Sequence, residues 1–255
     1  TLPDLQLEYT DYAVWQKAIS DTPIMTRQRE FWLDIFRGHI PVLNLPTDYP
    51  RPVVQSFTGA KVNANIEEEL TQRLRAFCLK HDVTLHMVLL SAYYILLSKY
   101  ANQEDIVIGI ATSGRTSTKI EDIVGMFVNT LAMRNYPKGE KTYLEFLSEV
   151  KNNSLLAYQN QDYQLDELVS RLYTQRNRSR NPLFDVVFTI TKHQEVEIEG
   201  LKFTVLDLDE IKARFDLIFS MCEYKDHIEY SLVYSSALFK KETIEKMACY
   251  FRDLV

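Results

Sequence analysis

Glycine is scarce in this sequence, with 7 in 255 residues, and cysteine is scarcer, with 3. So few glycines leave little backbone for wrapping a nucleotide, and no Gly-rich phosphate loop occurs. Cys78, Cys222 and Cys249 sit in apolar sequence surroundings without C-x-x-C spacing. That pattern predicts reduced, packed thiols rather than a disulfide frame or a zinc site, and a reducing compartment such as the cytoplasm. Basic charge is also lacking. The net charge of -6 provides no whole-surface footprint for nucleic acid, so none is expected as a partner. No apolar run approaches the roughly 18 residues that a membrane span needs. The longest, around Met87 to Leu97, is interrupted by Ser91 and predicts a buried helix. Residues 1 to 30 show no basic segment leading into an apolar core, so no secretory leader is expected there. There is no G-x-S-x-G elbow and no H-E-x-x-H metal pair. None of the five histidines has an aspartate four residues on, which argues against a stand-alone acyltransferase with an H-x-x-x-D pair.

What is present is a chain with 46% hydrophobic residues, enough for a sizeable core. Residues 1–52 read as two short helices and a connector, and residues 53–255 as the main body. Asp11 to Ser20 predicts one helix; Thr26 is expected to cap a second that ends at Gly38. The proline-rich segment from Leu43 to Pro52 predicts an extended strap over the core. From Ala60 to Ile66 the residues alternate with period two, as in a half-buried strand. Glu67 to Lys80 predicts an amphipathic helix, and Thr84 caps a second that is apolar nearly all round and therefore central. Ile106 to Ile110 and Phe127 to Met133 predict strands, and Tyr143 to Gln159 and Leu165 to Tyr173 helices. Strand-like runs follow at Phe184 to Thr191, Leu201 to Leu208, Leu217 to Tyr224 and Ile228 to Tyr234, before a closing amphipathic helix. Helices first and strands later imply an α+β fold, a mixed sheet packed against helices.

Several polar residues stand out from this pattern. Asn129 shares a strand face with Phe127, Leu131 and Met133, and a buried amide without partners costs about 1–3 kcal/mol. It either satisfies neighbouring backbone or orients groups at a substrate channel. Arg115, in a strand-end loop, is either a structural clamp or an anion contact, since its fork suits both. Gln161 and Asp162 lie between two helices, where Asp162 could cap the helix starting at Leu165. Arg176, Arg178 and Arg180 form a basic cluster with Asn177 and Asn181; it reads as a solvated loop with one buried arginine, or as an anion contact. Asp216, after Arg214-Phe215, reads as structural.

Taken together, Ser113-Gly114-Arg115, Gly125-Met126-Phe127-Val128-Asn129-Thr130-Leu131, Asn160-Gln161-Asp162 and Arg180-Asn181-Pro182-Leu183-Phe184 resemble, in order and spacing, the later motifs of condensation domains from non-ribosomal peptide synthetases. Leu45-Pro46-Thr47-Asp48 with Arg51-Pro52 is similar to that family's inter-lobe connector, and Val83 to Leu90 to its central helix. The likeness is collinear over more than two hundred residues. Two departures stand out: Asn160 replaces the family's histidine before Gln-Asp, and Gln164-Leu165 stands where Pro-Phe is common. The family's His-His-x-x-x-Asp-Gly motif is missing, since no two histidines here are adjacent.

The resemblance implies a chloramphenicol acetyltransferase-like two-layer lobe, the C-terminal half of a two-lobed enzyme. The activity it implies is amide formation between aminoacyl or peptidyl thioesters, each carried on the phosphopantetheine arm of a donor or acceptor peptidyl carrier domain. No cofactor is expected to bind directly. Expected partners are the N-terminal condensation lobe, the two carrier domains and an adenylation domain downstream. With no residue to take the proton-handling role of the second histidine, no catalytic residue is assigned and the chain alone is expected to be inactive. Arg115, Asn129, Gln161, Asp162, Arg180, Asn181 and Asp216 are the candidate channel or structural residues. A non-catalytic docking module of the same fold remains the alternative.

Overall fold

In the computed structural model, residues 7–173, 177–193 and 211–255 are described. The strand expected over Leu201 to Leu208, and Arg176, lie outside them. The described elements run in chain order as α1 (Tyr9–Ile19), α2 (Pro23–Ile35), β1 (Thr58–Ile66), α3 (Glu68–His81), α4 (Leu85–Ala101), β2 (Ile106–Thr112) and β3 (Asn129–Asn135). They continue with α5 (Tyr143–Gln159), α6 (Leu165–Leu172), β4 (Val186–Lys192), β5 (Ile211–Lys212), β6 (Leu217–Glu223), β7 (Ile228–Ser235) and α7 (Lys241–Leu254). The strands form one mixed sheet in the order β3-β2-β4-β6-β7-β1-β5. The β2–β4 and β4–β6 pairs are parallel and the others antiparallel, so the α+β expectation holds.

The central helix is α4, as its nearly all-round apolar sequence requires. Thr84 Oγ1 accepts from the Met87 amide at 3.2 Å to start it, and Asn102, in the left-handed region at φ 50°, ends it. Tyr93 of α4 packs edge-on to Phe219 of β6 at 4.9 Å, while Tyr94 Oη donates to the Met133 carbonyl of β3 at 2.6 Å. Beside it α7 buries Ile244, Met247, Ala248 and Phe251, the last edge-on to Phe219 at 4.5 Å. The opposite sheet face is polar. Asn63, Ser231, Ser220 and Thr189 stand in one cross-strand row through β1, β7, β6 and β4, each half-buried or exposed.

Some local expectations shift. Thr22, not Thr26, caps α2, because Pro23 supplies a preset φ at the first helical position. The helix stops at Ile35, three residues before Gly38. Phe127 and Val128 precede the strand rather than opening it, and only one 3₁₀ turn, Thr118–Ile120, forms ahead of them. Of the cysteines only Cys78 is buried; Cys222 is half-buried and Cys249 exposed, because the chain's apolar neighbours there point the other way along strand and helix. Among the described residues no single helix is long and apolar enough to cross a membrane.

Candidate functional site

Because β2, β4 and β6 run in one direction, their carboxyl ends (Thr112, Lys192 and Glu223) lie at one end of the sheet. Antiparallel β3 begins at that same end, with Asn129 opposite Thr112. Asn129 is buried there, and its side chain is fully engaged. Its Nδ2 donates to the carbonyls of Gln161 at 2.8 Å and Tyr163 at 3.0 Å, and its Oδ1 accepts from the amides of Thr130 and Leu165. The amide therefore closes the α5–α6 turn onto β3. Gln161 extends the bridge: its Oε1 accepts from Thr112 Oγ1 at 2.6 Å, and its Nε2 donates to the Tyr158 carbonyl.

Asp162 does not cap α6. Gln164 occupies the cap position without a side-chain bond, and Asp162 Oδ2 instead accepts from Gln28 Nε2 at 2.9 Å. Gln28 Oε1 accepts from the Tyr163 amide and Trp32 Nε1 donates to the Asn160 carbonyl, so α2 holds the turn from the other side. Sequence reasoning missed Gln28; the signal was a lone amide among Met25, Phe31 and Trp32, which on a buried helix face needs polar partners.

Arg115 is a clamp. Its Nη1 donates to the Ile120 and Glu121 carbonyls, its Nη2 to the Ile123 carbonyl, and its guanidinium lies 4.2 Å over the Phe127 ring. The same loop is fixed by Tyr9, whose hydroxyl donates to the Met126 carbonyl at 2.8 Å. Gly114, at φ 66°, has no room for a Cβ, which would fall 1.9 Å from the Phe127 carbonyl oxygen. Held in this way, the loop buries Ile123 and Phe127 and turns Val124 and Met126 outward, 90% and 73% exposed.

A third group, made of charges, fastens the strap. Arg51 pairs with Asp216 and Arg180 with Asp185, and both carboxylate side chains are 5% exposed. Arg180 also donates to the Leu43 carbonyl at 3.0 Å and to Asn44 Oδ1, while Asn181 donates its own amide to Asp185 Oδ1 and its side-chain amide to the Arg214 carbonyl. Burial, then the neighbouring Asp216 charge, raises the Asp185 pKa, opposed by Arg180 and Arg51. Of the described arginines of the basic run, Arg180 is half-buried and ion-paired, while Arg178 is exposed. Asp185 was legible as an acid inside the apolar run Leu183-Phe184-Asp185-Val186-Val187, where only a cation nearby permits it.

The histidines divide by environment. His227 is half-buried and bonded to Asp226, which raises its pKa. His193 and His227 both stack on Tyr224, and His81 packs against Phe77. His86 differs: in the first turn of α4, it lies 6.4 Å from the Tyr158 ring and edge-on to Phe188 at 5.5 Å, and burial lowers its pKa to about 4. Among the described residues no cluster of three His, Cys, Asp or Glu is placed to hold a metal ion.

The mixed sheet thus packs α4 and α7 on one face and gathers Asn129, Gln161 and Asp162 at one end. The chain belongs to the Condensation domain family, whose signature matches residues 1–255. It is 47% identical over 252 residues to bacitracin synthase 3 of Bacillus licheniformis, covering 98% of this chain and 4% of that protein. It is 48% identical over 256 residues to tyrocidine synthase 3 of Brevibacillus parabrevis, covering 100% of this chain and again 4% of the relative. The chain therefore spans a small part of the length of these relatives. Among solved structures, the X-domain in complex with OxyB from teicoplanin biosynthesis matches with a TM-score of 0.89 at 23% identity, over 100% of this chain and 58% of the other. The condensation domain of the monacolin K polyketide synthase MokA matches with a TM-score of 0.81 at 21% identity, over 96% and 59%.

Proposed function

We propose that this chain is the C-terminal lobe of a peptide-synthetase condensation domain. Together with an N-terminal lobe it forms amide bonds between aminoacyl or peptidyl groups carried as thioesters on phosphopantetheine arms. In that reaction the amine nitrogen of one substrate attacks the thioester carbonyl of the other; the C–N bond forms, the C–S bond breaks, and the amine proton and the thiol leave. The carrier domains and a downstream adenylation domain are the partners this reading implies. The observation that carries it is the Asn129 hub: the family's Gly125 to Leu131 and Gln161-Asp162 segments meet at one sheet end, yet no histidine stands among them. This lobe accordingly supplies a rigid wall that aligns the substrates, a contribution that alone can amount to several kcal/mol. Proton handling falls to the His-His-x-x-x-Asp-Gly lobe. The outward Val124 and Met126 are the surface that the other lobe covers.

The test supplies two carrier-bound aminoacyl thioesters and follows the dipeptidyl thioester by mass spectrometry. No product is expected with this chain alone, and product is expected once a lobe bearing the paired histidines is added. Turnover by the chain alone refutes the assignment. The engagement of the polar candidates Arg115, Asn129, Gln161, Asp162, Arg180, Asn181 and Asp216 in internal contacts favours, as a second reading, a docking module without chemistry. Titration with a carrier domain separates the two, because only the tunnel-wall reading requires affinity that depends on the arm.

A further inference from the structure

Helix α1 stands apart from the rest of the lobe: among the described helices it alone contributes no buried residue. Its amino-terminal half rests on the loop between β2 and β3. The Tyr9 hydroxyl donates to the Met126 carbonyl, the Tyr9 ring lies edge-on to Phe127 at 5.3 Å, and the Tyr12 ring is 4.5 Å from Phe127. Tyr9 is seated directly on Gly125, where an added Cβ would fall 2.2 Å from its ring. At the other end Ile19 packs against the main core, and the turn at Ser20 and Asp21 joins α1 to α2.

The loop in turn depends on α1. Between Thr112 and Asn129 it forms one 3₁₀ turn, Thr118–Ile120, and no strand. Its Ile120, Ile123 and Phe127 make a small core of their own, separate from the main one, with Leu7 and Tyr12 packed against it. Arg115 ties the loop backbone together from within, but the apolar cover comes from α1 and the residue before it. A patch buried by so few side chains opens at a lower free energy than the main core, and elements that share one patch open together.

We infer that α1 is a detachable clasp. The helix and residues 118–128 form one local unit that opens and shuts while the sheet stays folded, and the shut form holds Val124 and Met126 in their outward places. That the N-terminal lobe lies on those two residues rests on the proposed function; the clasp does not. With both in force, that lobe binds the shut form, so α1 sets the fraction of chains ready to bind without needing to touch it.

Amide hydrogen exchange of the 255-residue chain at neutral pH, read by mass spectrometry, tests the clasp with two variants. Tyr9→Phe keeps the ring on Gly125 and removes one hydrogen bond. It is expected to speed exchange about twofold to tenfold, by the same factor in α1 and in residues 118–128. Ile244→Val trims the main core under α7, which open and shut forms share. It is expected to speed exchange in α4 about twofold to tenfold while α1 and the loop keep their wild-type rates. The clasp is overturned if Tyr9→Phe changes nothing, if it acts on α1 without the loop, or if α1 and the loop follow α4 in Ile244→Val. Adding the lobe that bears the paired histidines is expected to slow α1 and the loop together. Slowing of the loop alone also overturns the clasp. Binding that slows neither removes that lobe from Val124 and Met126 and leaves the clasp standing.

Discussion

Two regions of this lobe solve the same problem with opposite chemistry. At the sheet end, Asn129, Gln161 and Gln28 join β2, β3, α2 and the α5–α6 turn through amides, with Asp162 the single charge among them. At the strap, Arg51, Asp216, Arg180 and Asp185 make the join with four charges. Neutral amides cost less to bury, and each satisfies several backbone groups at once. Buried ion pairs fasten long segments in one register, but removing a single member leaves a stranded charge. The strap is therefore the more brittle of the two joints and the amide hub the more tolerant.

Removing the Asp216 carboxylate tests the brittle joint most severely. Asp216→Ala strands Arg51 and is expected to cost about 3–5 kcal/mol in urea unfolding, while Arg51→Met with Asp216→Leu together is expected to recover most of it. A smaller loss, about 2–3 kcal/mol, is expected for Asn129→Ala, which leaves the Gln161 and Tyr163 carbonyls unpaired. Should Asn129→Ala prove the costlier of the two, the contrast between joints reverses.

Acid sharpens the comparison. His86 titrates at about 4 in the folded chain against an ordinary value of 6.5. Above the ordinary value both folded and unfolded chains are neutral and nothing is lost. Below it the unfolded chain takes the proton first, so stability falls as the pH drops toward the folded value. With a discount for residual solvent contact, about 1–2 kcal/mol is expected to be lost by about pH 4.5. Unfolding midpoints at neutral and acid pH, compared with those of His86→Phe, measure it, and the variant is expected to flatten this part of the profile. The mildest change is Arg115→Lys, which replaces a fork serving three carbonyls by a point charge. It is expected to cost about 1 kcal/mol and to speed proteolytic nicking within residues 113–128.

Periodicity made the elements legible. The all-round apolar α4 and the alternation of Ile228, Tyr230, Leu232 and Tyr234 are both found in the core, because burial is what those patterns encode. Motif order made the sheet-end residues legible as a group, yet not their partners. Asp162 finds Gln28 across 134 residues, and Arg51 finds Asp216 across 165, distances at which spacing carries no signal. Local rules also misplaced details that compete within one turn. Thr22 and Thr26 are both good caps, and Pro23 decides between them.

The register of β1 has a consequence for synthesis on the ribosome. Thr58–Ile66 is made before the other described strands, but its long antiparallel neighbour is Ile228–Ser235, roughly 160 residues later, which at ordinary elongation rates means a delay of about 8–30 seconds. During that interval a nascent strand waits with open edges, guarded by Lys61 and the polar Asn63 and Asn65 that alternate along it. Replacing those side chains with valine would leave the finished lobe nearly intact while turning its assembly toward aggregation.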